Sequence, residues 1–165
     1  MNRDAVVELT SQLVAIDSVN PSLVDGGAGE AQVAAFVERW ARDNGLEAQV
    51  LEDTPGRPSV LVTAPGAAGD GRTLLLCGHL DTVNVEGMTN PHTPRIEGDR
   101  LYGRGAYDMK AGLAAALLAC REAARLGVDG DVVVAAVADE EHESLGIQEA
   151  LRTTRADAAI VTEPT

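Results

Sequence analysis

His79 and Asp81 stand two apart in the stretch CGHLDTV, directly after the apolar run Thr73–Leu76. A single histidine in such a place is usually a packed or hydrogen-bonded residue, so its meaning depends on what else reaches the same place. Carboxylates recur after other apolar runs: Asp139, Glu140 and Glu141 behind DVVVAAVA, and Glu163 behind the run that ends at Thr162. Asp108 follows the Gly103-Arg104-Gly105 turn and opens the most helix-prone segment of the chain. Taken singly, each has an ordinary role: Asp108 as a helix N-cap, Glu163 as a surface residue, Glu140-Glu141 as part of an acidic turn. Taken jointly, one mixed imidazole and carboxylate set recurs at several strand ends, and the ordinary roles lose weight. Such donors suit zinc or a similar divalent ion, with cobalt or manganese as substitutes.

The elements that must position these residues follow from periodicity. Ala5, Val6, Leu9, Leu13 and Val14 recur at helical spacing, and the segment through Asn20-Pro21 ends that helix. Residues 32–43 read as a second amphipathic helix, stopped by Asn44-Gly45. Strands are expected over 46–51 and 59–63, separated by the Pro55-Gly56 turn, and over 73–77, where the absence of alternation indicates cover on both faces. A small hairpin is expected around Gly98-Asp99, then a long Ala- and Leu-rich helix from Met109 to Leu126 closed by Gly127. A buried strand over 131–138, a helix over 145–154 and a short strand over 158–162 complete the pattern. Strands separated by helices predict an α/β fold, a three-layer α/β/α sandwich with a mostly parallel mixed sheet. In open sheets of this kind ligands bind outside the carboxyl ends of the strands. That is where His79, Asp81, Glu140, Glu141 and Glu163 are expected to meet.

Composition excludes several function classes. A chain of 165 residues with 45% hydrophobic residues is long enough for one domain with a sizeable core. A net charge of -13 argues against a phosphate-backbone binder, which needs a basic face. The longest helical apolar run, 113–120, is far short of a bilayer span, and the first residues lack the features of a signal peptide. No nucleic-acid or membrane partner is therefore expected, and the cytoplasm is the expected compartment. Cys77 and Cys120 are expected to be buried thiols rather than a disulfide framework.

The stretches GHLDTV, YGRGAYDMKAG, ADEEHESLG and VTEP occur in an order and approximate spacing that resemble the M20 metallopeptidases. That family includes acetylornithine deacetylase, succinyl-diaminopimelate desuccinylase, carboxypeptidase G2 and aminoacylase-1 relatives. A lone His-x-Asp carries little weight, whereas four motifs in order carry much. The resemblance implies a zinc-peptidase-like catalytic domain with two zinc ions in the complete site. It makes His79 and Glu163 ligands of one ion, Glu141 a ligand of the other and Asp108 the bridge between them. Asp81 is the implied partner that fixes the His79 tautomer, and Glu140 the implied general base. A cis peptide after Asp108 is implied as well. The implied chemistry is hydrolysis of an amide in N-acyl amino acids or small peptides by metal-activated water, with Glu140 moving the proton. Ser144 and Cys77 have no paired base and are read as structural; His92 and His142 are read as loop or surface residues.

The family pattern also includes a further histidine ligand, a small lid and dimerisation domain, and contacts to the substrate carboxylate, none of which falls within these residues. Residues 1–165 are thus expected to be an N-terminal portion of the catalytic domain, weakly active or inactive alone, with apolar sheet surface left exposed. The full-length protein would be compatible with a homodimer. Two other readings remain open at this point: a non-catalytic domain of the same fold serving as a metal-binding or assembly module, and a carboxylate-rich domain that buffers cations. An intact Glu140 speaks against the first, and the second has no requirement for His79.

Overall fold

The computed structural model describes residues 3–69 and 71–164. Two helices come first, α1 (Arg3–Val14) and α2 (Ala31–Asp43), then strands β1 (Glu47–Leu51), β2 (Ser59–Ala64) and β3 (Leu74–His79). A small hairpin, β4 (Arg95–Glu97) and β5 (Arg100–Tyr102), leads to α3 (Ala111–Leu126), β6 (Val132–Val137), α4 (Leu145–Thr153) and β7 (Ala158–Val161). Among the described residues no helix is long and apolar enough to cross a membrane.

The main sheet has the order β1-β2-β6-β3-β7. β3 pairs in parallel with both β6 and β7, while β2 is antiparallel to both β1 and β6. Four strands therefore share one direction and β2 is the exception. The link 52–58 between β1 and β2 is too short for a parallel crossover, which needs a dozen or more residues, so these neighbours must run antiparallel.

Helices cover both faces, as three layers require. Alternate residues of the strands face opposite ways. Leu76, Val134 and Ala136 pack under α1, α2 and α3 with Leu13, Val37, Leu113 and Leu117. Leu75, Cys77, Val133, Ala135 and Val137 face the other side, where Ala150 and Ile147 of α4 meet them. β7 is an edge strand, and its Ile160 and Val161 are exposed. Both cysteines are free and buried. Burial pushes the Cys120 thiol up to about 11.

Two differences from the periodicity bear on the site. β3 continues two residues past the expected 77, so His79 is the last residue of the strand and pairs with Val137. The long helix begins at Ala111 rather than Met109, because Ala106–Lys110 form a wider turn in which Asp108 (φ −114°, ψ 102°) and Met109 (φ −130°, ψ 31°) leave helical geometry. The Asp108–Met109 peptide is cis. Met109 Sδ accepts the His79 amide at 3.2 Å, a contact that a continuous helix would not provide. Lys110, fully buried, anchors the turn to α1 by donating from Nζ to the carbonyls of Leu13 (3.0 Å) and Ile16 (2.9 Å). These carbonyls at and beyond the end of α1 gain a side-chain donor from elsewhere in the chain.

β3, β6 and β7 are adjacent and parallel, so their carboxyl ends form one rim. α3 is seated against that rim through Gly112, where a Cβ would collide with the main-chain oxygen of Thr162, the residue before Glu163. Gly112→Val must push α3 and the end of β7 apart. Overpacking of this kind costs about 1–3 kcal/mol, which is read as a melting temperature lowered by several degrees in a thermal scan. An unchanged melting temperature would contradict the close approach.

Candidate metal centre

The rim gathers one imidazole and four carboxylates. His79 Nε2 lies 3.0 Å from Asp108 Oδ1, 3.7 Å from Glu163 Oε1 and 3.9 Å from Glu140 Oε2. Among the described residues three groupings have donor atoms within 4.8 Å of one another: His79 with Asp108 and Glu141, His79 with Glu140 and Glu163, and Asp139 with His142 and Glu143. The His79 imidazole is common to the first two. The five residues reach the rim by four routes: His79 from the end of β3, Glu140 and Glu141 from the turn after β6, Glu163 from just past β7, and Asp108 from the turn before α3. Asp108 is no helix cap, for Lys110 holds that position at α3 and its side chain makes no capping hydrogen bond.

His79 is 1% exposed, and its ring is oriented from behind. Nδ1 donates to the main-chain oxygen of Asp81 at 2.8 Å, while the Asp81 carboxylate lies farther away, at 3.6 Å. It is thus the backbone of Asp81 that makes the closest contact with the imidazole. In a neutral ring this donation leaves the lone pair of Nε2 facing Asp108, Glu140 and Glu163, which bring only acceptors when ionised. Such an arrangement calls for a cation at Nε2, either a proton or a metal ion.

The electrostatics agree. Burial opposes a charged His79, but Asp81, the hydrogen bond to Asp108 and Glu163 outweigh it and hold its pKa above the ordinary value. Burial raises Glu141; the nearby imidazole works the other way, and Asp108, Asp81 and Glu140 raise it further. Glu163 is raised by burial and, against the pull of His79, by Glu140 and Asp108. Carboxylates that resist losing their protons, first because they are buried and then because they crowd one another, make a cage suited to a divalent ion. Nitrogen and oxygen donors in this mixture fit zinc, manganese or cobalt.

Asp81 is fully buried, and its carboxylate serves another purpose. It accepts the amides of Glu140 (Oδ1, 3.0 Å) and Glu141 (Oδ2, 3.2 Å) and the side-chain amide of Asn20 (Oδ2, 2.7 Å). Behind it lies a network that the sequence did not reveal. Arg57 donates to Glu30 through Nε (2.8 Å) and Nη2 (2.7 Å), and from Nη2 to Asp139 (2.8 Å) and Asn20 (3.1 Å). Glu30, Asn20 and Asp139 are all fully buried. The Glu30 carboxylate beside the guanidinium drives the Arg57 pKa up, and burial opposes it. Asp139 is held below the usual carboxylate range, since hydrogen bonds from Asn20 and Arg57 overcome its burial.

Residues 75–165 match the model of the peptidase family M20/M25/M40. The chain belongs to that family. Among curated relatives, the acetylornithine deacetylase of Photorhabdus laumondii is 31% identical over 166 residues, covering 96% of this chain and 42% of its own length. An M20 family metallo-carboxypeptidase of Sulfolobus solfataricus superposes with a TM-score of 0.80 at 23% identity, covering 98% of this chain and 37% of that one. A dinuclear metal-binding M20 peptidase of Bacillus subtilis superposes with a TM-score of 0.66 at 15% identity, covering 94% and 41%. The M20 chain described here thus spans less than half the length of these relatives, and the structural likenesses establish the fold.

Of the six residues singled out in the sequence, His79, Asp108, Glu140, Glu141 and Glu163 meet at this rim, and Asp81 lies buried behind it. His142 and His92 do not join it: His142 Nδ1 lies 3.9 Å from Asp139, and His92 Nε2 lies 3.4 Å from Asp17. Ser144 donates from Oγ to the main-chain oxygen of Glu140 at 3.3 Å. Arg57→Met would leave Glu30 and Asp139 buried without their cation, an expected loss of about 3–5 kcal/mol in denaturant unfolding. Adding Glu30→Gln should recover part of that loss; strictly additive losses in the double variant would show that the pair is not coupled.

Proposed function

We propose that the protein is a metal-dependent hydrolase of amide bonds in N-acyl amino acids or small peptides, and that this chain carries most of its metal centre. The observation that carries the reading is the buried His79, fixed through Nδ1 and turned through Nε2 toward carboxylates from three other segments. The relatives' names support it: one is a deacetylase, another a metallo-carboxypeptidase, another a dinuclear metal-binding peptidase. In this reading His79, Asp108 and Glu163 would hold one zinc ion, and Asp108 and Glu141 would hold a second. Cobalt or manganese could replace zinc.

Divalent ions bound there would polarise a substrate carbonyl and lower the pKa of water. The chain's own residues supply the rest. Glu140 is the general base: its amide is pinned by Asp81, and its side chain is 43% exposed on the open side of the rim. From there it takes the proton of the attacking water and delivers it to the leaving amine nitrogen. Cys77 does not compete for this role. Burial first, then Glu163 and Glu140, push the Cys77 thiol up to about 11, which leaves almost no thiolate at neutral pH.

Residues 1–165 correspond, in this proposal, to an N-terminal portion of a catalytic domain. A further histidine ligand, the lid and dimerisation domain and the contacts to a substrate carboxylate belong to other parts of the full protein, and this chain alone is weakly active or inactive. Zinc titration of the metal-stripped chain tests the assignment. The expected result is about one tightly bound ion, lost in Glu163→Ala and kept in Glu140→Ala. Binding indifferent to Glu163 in a chain that circular dichroism shows to be folded would overturn it.

A further inference from the structure

Asn20 uses its whole hydrogen-bonding capacity in the buried network behind the metal centre. Its Nδ2 donates to Asp81 Oδ2 at 2.7 Å and to Asp139 Oδ1 at 3.0 Å. Its Oδ1 accepts from Arg57 Nη2 at 3.1 Å and from the amide of Ser22 at 2.8 Å. A primary amide offers two donors and two acceptor positions, and all four are filled. The orientation is determined by the partners, since a flipped amide would set its oxygen against two carboxylates and its NH₂ against two donors. No other side chain of this size brings two donors and two acceptors without a charge. Aspartate would add a carboxylate beside two others, and leucine would take one donor from each of them.

The two carboxylates bridged by Asn20 flank the turn that carries Glu140 and Glu141. Asp81 grips the amides of Glu140 and Glu141. Asp139 sits at the start of the same turn with φ 62°, and its Oδ2 accepts the amide of Glu143 at 3.2 Å. A non-glycine residue in the left-handed region is held there only by its surroundings. Here those surroundings are Asn20 and Arg57, with Glu30 also accepting the Asp139 amide at 3.3 Å. Asp81, in turn, holds His79 through its carbonyl. One amide side chain is therefore tied to the imidazole and to both glutamates.

We infer that Asn20 is a positioning residue: by bridging Asp81 and Asp139 it aims the turn of Glu140 and Glu141, and the ring of His79, at a common metal ion. Arg57 and Glu30 anchor Asn20 and Asp139 from behind. Asn20 lies outside all four motifs at the rim and touches none of the donor atoms itself. The inference rests on the metal-centre reading, and the test separates the two.

The test is titration of the metal-stripped chain with Co²⁺, read by its visible absorption band, for the unaltered chain, Asn20→Leu and the milder Asn20→Ser. A core control of comparable stability loss, Val62→Ala, is titrated alongside. The inference predicts that folded Asn20 variants bind Co²⁺ about 10–100-fold more weakly, with a shifted band, while Val62→Ala retains the unaltered spectrum and affinity. Unaltered affinity and band in a folded Asn20 variant would overturn it. So would failure of both Asn20 variants to fold, which would make Asn20 a structural residue. Absence of Co²⁺ binding by the unaltered chain would instead contradict the proposed metal centre itself.

Discussion

Crowding of like charge around one buried imidazole is the constraint on which the rest of the structure depends. Three adjacent parallel strands, β6, β3 and β7, end at a common rim; β3 delivers the imidazole, and the endings of β6 and β7 deliver carboxylates that repel one another. His79 offers them one shared partner through Nε2; burial opposes its charge, but Asp81, Asp108 and Glu163 outweigh burial. The ends of the strands and the turn before α3 bring these groups together, and in the proposed reading the resulting field suits a divalent cation.

Holding such a site takes compensation deeper in the molecule. Arg57, Glu30, Asn20 and Asp139 form a buried set in which each polar atom finds a partner, and Asp81 connects that set to the rim. A half-satisfied network of this kind would be worse than an apolar one. The division of labour within Asp81 shows how tightly the parts are joined: its carbonyl orients the imidazole, and its carboxylate fixes the backbone of the two glutamates. Lys110 does comparable work on the other side, tying the Asp108 turn to α1.

Much of this was legible in the sequence, for definite reasons. β3 and β6 are buried on both faces and read as continuous apolar runs, so their ends could be placed and the His and carboxylates assigned to a common rim. The helix pattern failed at Met109 because Ala and Leu spacing carries no information about the turn that breaks it. The reversed direction of β2 agrees with the expected mixed sheet and follows from the short link 52–58. Asn20 and Arg57 stayed hidden because their sequence surroundings, beside Pro21 and Pro58, are those of ordinary loops. Glu30 looked like any acidic residue before a helix. What makes these three functional is long-range contact, with partners as far apart in sequence as Asn20 and Asp139, which no local pattern expresses.

X-ray absorption at the zinc edge, on the chain loaded with one equivalent of zinc, tests the central claim most directly. The account predicts a first shell of imidazole nitrogen and carboxylate oxygen at about 2.0–2.2 Å, with the imidazole signature lost in His79→Ala. A shell containing sulfur at about 2.3 Å, or an imidazole signature that survives His79→Ala, would contradict it.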